Sequence, residues 1–268
     1  MTQKLYQDRA FHYGDGLFTT MRVENGRVSL WRYHLARLEH DSSRLGLKLD
    51  LSYLSHHVAA AADQLSKGVL KLHISSGVGG RGYARPEHPD MQYRLSEHAV
   101  PAHYAKWRTE GITTEVSPVK LGLQPLLAGI KHLNRLEQVL IKQHMRCDDA
   151  IVCDIHNHLI EGSASNLFWM IDGQWVTPAL DQCGVAGVYR AFVLDALKAQ
   201  GTPVQTGHFD VASLEHASAV FLCNSLMGIV PVKAVEHHST VTRFDKSPVL
   251  DLQDKIKAAY ERENEATD

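Results

Sequence analysis

Residues 126–143 read LLAGIKHLNRLEQVLIKQ. Lys131 stands there among Leu126, Leu127, Ile130, Leu133 and Leu136. A lysine in apolar company either carries its ammonium out to solvent along its own alkyl stem or is held for chemistry. The residues that follow keep helical spacing. A helix is expected from Leu133 to Met145, with Leu136, Val139, Leu140 and His144 along one side. The rest of the chain has to decide what the lysine does.

The chain has 268 residues, enough for one large domain or two smaller ones. Hydrophobic residues make up 44% and charged residues 22%, a soluble globular balance. A formal net charge of −2 gives no electrostatic reason to expect nucleic acid or an acidic membrane as partner. No apolar run is long enough to span a bilayer. The amino-terminal MTQKLYQDRAF has no apolar signal core. Cys147, Cys153, Cys183 and Cys223 form no CxxC pair and sit in apolar or helical contexts, so reduced thiols in a cytoplasm are expected. None of the 17 histidines falls in an HExxH or His/Cys zinc spacing, and HNH at residues 156–158 reads as a solvated loop. No metal is expected.

Before the lysine stretch the pattern mixes strand and helix. LFTTMRV, residues 17–23, alternates and is β-branched; Asn25-Gly26 then makes a hairpin turn. Leu30, Leu35, Leu38 and Leu45 recur near helical spacing up to Gly46, and a second helix is expected at about Leu51 to Ser66. VLKLHISSG and MQYRLSEHAV read as strands around a polar glycine-rich loop, GVGGRGYARPEHPD. After it come strands ITTEVSPVK, AIVCD, NLFWMI, QWVTP, AVFLCNS and GIVPV. A helix in GVYRAFVLDALKAQG is ended by Gly201, and a charged amphipathic helix closes the chain. PAHYAKWRTEG, residues 101–111, breaks the strand pattern. The expected architecture is two α+β domains, 1–105 and 106–268, meeting across a cleft.

Several short stretches carry candidate chemistry. FHYGDGLF places glycines on both sides of Asp15, also a common turn. HLARL sets His34 and Arg37 one helical turn apart on one face. LIEGSASNLFW puts Glu161 at a strand end before small residues, which let a backbone approach a flat ligand closely. TPALDQCGVAGVYR enters a helix through Gly184 and Gly187, a plausible phosphate seat. Each alone reads better as ordinary structure.

In series along one chain, DRAFHYGDGLF, HLARL, GIKHLNRLEQVL, LIEGSASNLFW and TPALDQCGVAGVYR resemble the class IV, fold-type IV aminotransferase-like enzymes, which use pyridoxal 5′-phosphate. The resemblance runs from about Asp8 to Val232. Within the family, SGVGGRGYARP, VPAHYAKWRTEGI, SPVKLG and LAGIKHLNRLEQVLI are similar to the aminodeoxychorismate lyases rather than to the transaminases. Relatives usually carry a further strand before the Asp-Arg segment, and this chain begins too late to hold all of it.

The resemblance implies a two-domain fold like that of D-amino-acid aminotransferase, with the cofactor in the interdomain cleft. It implies that Lys131 forms the Schiff base with the cofactor aldehyde, and that Glu161 pairs with the pyridine nitrogen and keeps it protonated. Arg37, the backbone N–H groups of Gly187 and Val188, and Asn224 with Ser225 would hold the phosphate. The implied reaction converts 4-amino-4-deoxychorismate to 4-aminobenzoate and pyruvate in folate biosynthesis. Thr20, on the same strand face as Phe18 and Arg22, would hydrogen-bond the departing enolpyruvyl oxygen. Arg22 and Arg81 are the candidate substrate-carboxylate ligands, with Arg81 equally open to shaping its own loop. A D-amino-acid or branched-chain aminotransferase is the alternative on the same residues. A cytoplasmic homodimer is implied.

Overall fold

The structure, a computed structural model, describes residues 6–265. The signal-core reading at the amino terminus therefore rests partly on residues outside the described ones. The chain divides into two compact units: residues 1–100 with 130–135, and residues 101–129 with 136–268.

The first unit contains α1 (Arg9–Tyr13), β1 (Gly16–Glu24), β2 (Arg27–Val28), α2 (Trp31–Arg44), α3 (Leu51–Leu65), β3 (Gly68–Ser75) and β4 (Gln92–His98). Its sheet is antiparallel throughout, in the order β2-β1-β3-β4. Asn25 and Gly26 both take positive φ, 52° and 73°, as a two-residue hairpin turn requires. Leu17, Thr19, Met21 and Val23 are buried on one face of β1, and the three apolar ones pack with Leu38, Leu54, Val58 and Ala62 of the two long helices. Phe18, Thr20 and Arg22 fall on the other face and stay half-buried. Beyond the short β2, the edge of β1 is covered by the lysine segment. Leu17 bridges His132, Phe18 N–H donates to the Lys131 carbonyl at 3.1 Å, and Leu133 N–H donates to the Gly16 carbonyl at 3.1 Å.

That pairing corrects the expected helix start. Residues 131–133 are spent on the strand edge, so α5 begins three residues later, at Leu136. The apolar surroundings inferred for Lys131 are also only partly present. Ile130 is fully buried, but Leu126 and Leu136 are 79% and 78% exposed.

The second unit runs α4 (His103–Glu110), β5 (Ile112–Val116), α5 (Leu136–His144), β6 (Asp149–Cys153), β7 (Leu159–Gly162), β8 (Asn166–Ile171), β9 (Gln174–Pro178), α6 (Val188–Ala199), β10 (Gln205–Gly207), β11 (Ala219–Asn224), β12 (Gly228–His237), β13 (Thr240–Arg243) and α7 (Ser247–Glu265). The stretch that broke the strand pattern is thus a helix, α4. Among the described residues the strands form one sheet, ordered β10-β9-β8-β11-β12-β5-β6-β7, with β13 on β12. β7 also pairs with β8, closing the path β8-β11-β12-β5-β6-β7 on itself. The residue pair at this closure is Glu161 opposite Asn166. Trp169, Leu167, Val220, Leu222, Val230 and Val232 fill the core beside it. Among the described residues no helix is long and apolar enough to cross a membrane.

Candidate active site

Lys131 is fixed through its backbone. Its carbonyl accepts from β1, and its N–H donates to Asp41 Oδ2 at 3.0 Å. The side chain is left to its own contacts, and Nζ lies 4.5 Å from the centroid of the Phe18 ring. Lys71 Nζ approaches the same ring at 5.2 Å. Thr20 pairs with Lys71 across β1 and β3, so Lys131, Thr20 and Arg22 are brought to one face of the first sheet. Arg22 spends Nε and one terminal nitrogen on Glu24, at 2.9 and 2.8 Å.

Arg81 is exposed on the glycine-rich loop. That loop is wrapped around Arg9, whose guanidinium donates to the carbonyls of Gly79, Gly82, Tyr83 and Ala84. Asp15 accepts from Arg9, Arg85 and Ser76. Burial opposes its charge, but the arginine and serine hydrogen bonds win and hold its pKa down at about 2.

His34, Arg37 and Asp41 line one face of α2 at helical spacing. Arg37 donates to Thr19 Oγ1 at 2.6 Å, and the same oxygen lies 2.7 Å from His34 Nδ1. His34 is fully buried; burial, Arg37 and Lys131 hold its pKa well below the usual imidazole value. Burial likewise pulls Arg37 down to about 10, against the pull of Asp41. Arg37 Nε and His34 Nε2 have no hydrogen-bond partner among the described residues.

In the second unit Glu161 and Asn166 are both buried. Val185 N–H donates to Glu161 Oε2 at 2.8 Å, and Asn166 Nδ2 donates to the Val185 carbonyl at 2.8 Å. One peptide stretch is therefore held on both sides, just ahead of α6. Gly184 adopts φ +84°, and a Cβ there would come 2.6 Å from Ile160 Cγ2. A Cβ on Gly187 would come 2.0 Å from Asn166 Oδ1. Gly187 is the N-cap of α6, and no side chain caps the helix, so its first turn offers backbone donors and a positive dipole end. Val188, the first helical residue, is buried. Asn224 accepts from the N–H groups of Leu226 and Met227 and donates to the Ala164 carbonyl, so its amide shapes the turn that carries half-buried Ser225. The small residues after Glu161 serve the fold: Ser163 and Ser165 donate to buried Asp149, at 3.1 Å for Ser165.

Taken by itself, each unit offers groups that suit a part of pyridoxal phosphate. An uncapped helix start with no room for a Cβ at Gly187 suits a phosphate, and Arg37 has a buried nitrogen left over. A buried carboxylate fits a pyridinium, and an anchored lysine fits an aldehyde. Thr19, Asp41 and Asn166 were not singled out from sequence. Asp41 continues the His34–Arg37 spacing and was within reach of it; Asn166 required knowing which strands close the sheet. Among the described residues no group of three or more His, Cys, Asp or Glu side chains is placed to hold a metal ion. The thiols of Cys153 and Cys183 are pushed up to about 12 by burial, which leaves them poor nucleophiles at neutral pH.

A model of the amino-transferase class IV family matches residues 16–235. The chain is 39% identical to an aminodeoxychorismate lyase of Vibrio harveyi, over 85% of this chain and 86% of that one. The crystal structure of 4-amino-4-deoxychorismate lyase from Pseudomonas aeruginosa superposes with a TM-score of 0.89 at 39% identity, covering 94% and 93% of the two chains. A PLP-bound hypothetical aminotransferase from Mycobacterium tuberculosis is similar in fold, with a TM-score of 0.79 at 22% identity over 95% and 92%.

Proposed function

The chain belongs to the amino-transferase class IV family, and on that footing we propose that it is a pyridoxal 5′-phosphate-dependent carbon–oxygen lyase. It converts 4-amino-4-deoxychorismate to 4-aminobenzoate and pyruvate. The observation that carries this reading is the 39% identity to the Vibrio lyase, which extends over most of both units.

When bound, pyridoxal phosphate supplies an aldehyde that condenses with amines and a ring that withdraws electrons from the adjoining carbon. By the family's pattern, Arg37, the N–H groups of Gly187 and Val188, and the turn of Asn224 and Ser225 hold its phosphate. Glu161 holds the proton at the pyridine nitrogen, and Val185 N–H keeps that carboxylate in place. Lys131 Nζ would hold the cofactor at its aldehyde. During turnover it takes the proton from the ring carbon that carries the substrate's amino group. Thr20 donates a hydrogen bond to the enolpyruvyl ether oxygen as the C–O bond breaks and charge collects there. The ring becomes aromatic, and the enol leaves and takes up a proton to give pyruvate. Arg22 and Arg81 are the ligands for the two substrate carboxylates. Glu24 holds the Arg22 guanidinium through its Nε and one terminal nitrogen.

A homodimer in the cytoplasm completes the reading. Leu136, Val139 and Leu140, at i, i+3 and i+4 of α5, are 78%, 49% and 45% exposed, an apolar stripe suited to a second copy. Free cysteines fit a reducing compartment.

The test supplies the purified protein with pyridoxal phosphate and 4-amino-4-deoxychorismate and follows pyruvate with a coupled dehydrogenase. Equimolar pyruvate and 4-aminobenzoate, with no keto acid added, are expected. A D-amino-acid or branched-chain transaminase would use the same Lys131 and Glu161 but would need a keto-acid acceptor. Amino-group transfer to a keto acid, with no pyruvate from 4-amino-4-deoxychorismate, would overturn the lyase reading.

A further inference from the structure

Thr19 is buried, carries no charge and lies on the core face of β1, so it belongs to no substrate surface. Its hydroxyl is nonetheless the meeting point of two polar side chains from α2. Arg37 Nη2 reaches it at 2.6 Å and His34 Nδ1 at 2.7 Å. A guanidinium can only donate, so the Thr19 oxygen accepts from Arg37. The hydroxyl then has its hydrogen and one further lone pair to offer His34 Nδ1, and it donates when Nδ1 is bare. In that arrangement His34 is neutral, with its proton on Nε2. Burial and the neighbouring cations Arg37 and Lys131 favour the neutral imidazole over the charged one.

The direction of these bonds matters because an arginine is a planar fork on a long flexible stem. It grips an anion with two parallel bonds only if its plane is set beforehand. Thr19 takes one terminal nitrogen of Arg37 from the protein side, while Arg37 Nε has no partner among the described residues. Were His34 protonated on Nδ1, the hydroxyl would face two donors and have no acceptor for its own hydrogen at His34.

We propose that His34 is a positioning residue for the cofactor phosphate: through the Thr19 hydroxyl it sets the plane in which Arg37 presents its guanidinium. This rests on the assignment of Arg37 to the phosphate. His34 touches no substrate. It acts by keeping the Thr19 hydroxyl a donor towards itself and an acceptor towards Arg37.

The test uses full-length apoprotein titrated with pyridoxal phosphate and, separately, with pyridoxal, which lacks the phosphate. Nitrogen-15 shifts of His34 in the wild-type apoprotein should show a bare Nδ1 and a protonated Nε2. Thr19→Val and His34→Leu should weaken pyridoxal phosphate on the order of tenfold, the size of one lost hydrogen bond to a charged group, and leave pyridoxal unchanged. Thr19→Ser keeps the hydroxyl and should bind as wild type. His34→Asn places an amide oxygen near the Nδ1 position and should restore most of the affinity. General damage to the fold would weaken both ligands equally. That result, a proton on Nδ1, or undiminished pyridoxal phosphate binding by Thr19→Val would overturn the proposal. Arg37→Ala is the separate control: if it leaves the preference for pyridoxal phosphate over pyridoxal intact, the assignment of Arg37 to the phosphate fails, and the role of His34 falls with it.

Discussion

In the first unit the candidate groups are held by side chains that hydrogen-bond one another and the lysine backbone: His34 to Thr19, Thr19 to Arg37, Asp41 to the N–H of Lys131. In the second unit the material is mostly main chain. Glu161 and Asn166 grip one peptide stretch, and the start of α6 is left uncapped beyond it. A cation on a long stem needs neighbours to fix its direction. Backbone N–H groups are already directed by the helix they begin. The first half should therefore break by losing the charge or aim of a side chain. The second should break by losing the shape of a loop.

The largest expected effect is at Lys131. Its backbone hydrogen bonds to β1 and Asp41 survive truncation of the side chain, so Lys131→Ala should fold as wild type and lose nearly all turnover. Borohydride reduction followed by peptide mapping checks the assignment, and a pyridoxyl label on another lysine would refute it. Glu161→Gln comes next. The glutamine oxygen still accepts from Val185 N–H, so the loop should hold and cofactor should bind, while turnover falls by about 3–4 kcal/mol of transition-state stabilisation. Unchanged turnover at saturating cofactor would remove Glu161 from the mechanism.

Asn166→Ala tests the loop itself. It leaves the buried Val185 carbonyl without its amide donor, at a cost of about 1–3 kcal/mol. The urea midpoint should drop with an unchanged slope, and pyridoxal phosphate affinity should drop with it. Retained stability would mean that the loop is held elsewhere. Thr20→Val keeps the β-branched shape and removes one donor. It should lower kcat for pyruvate release roughly tenfold, with KM little changed; equal rates would end the leaving-group role.

The smallest effect concerns pH and lies away from the cofactor groups. Asp15 is held at about 2 in the folded chain against an ordinary 3.8. A depressed carboxylate contributes stability that is fully present above its unfolded value and is lost as pH falls through its folded one. Asp15→Asn should therefore be less stable than wild type by about 1–2 kcal/mol above pH 4, and the two denaturation midpoints should converge towards pH 2. A gap independent of pH would mean that the Arg9 and Arg85 contacts are steric rather than ionic.

Much of the first half could be read along the chain. The alternation of residues 17–23 and the Asn25-Gly26 turn placed Thr20 and Arg22 on one face, as they stand in β1. The helical spacing of His34 and Arg37 survives in α2. What misled was the apolar company of Lys131. Leu126 and Leu136 are near it in sequence, yet both are exposed, because residues 131–133 leave the helical path to pair with the edge of β1. No periodicity in 126–143 reveals that pairing, since the partner strand lies more than a hundred residues earlier.

Local chemistry was thus enough for the elements whose partners are neighbours in sequence: a turn that needs positive φ, a strand face that repeats every second residue, a helix face that repeats every third or fourth. The motif series was enough for the family, because its residue types recur in order. Contacts between distant elements were decided only in three dimensions. Thr19 meets Arg37 because β1 turns its core face to α2. Asn166 meets Val185 because β7 and β8 close the second sheet. Asp41 holds the lysine backbone because 130–135 packs with the first unit. A hydrogen bond depends on distance and angle between atoms, and sequence separation specifies neither until the chain has folded.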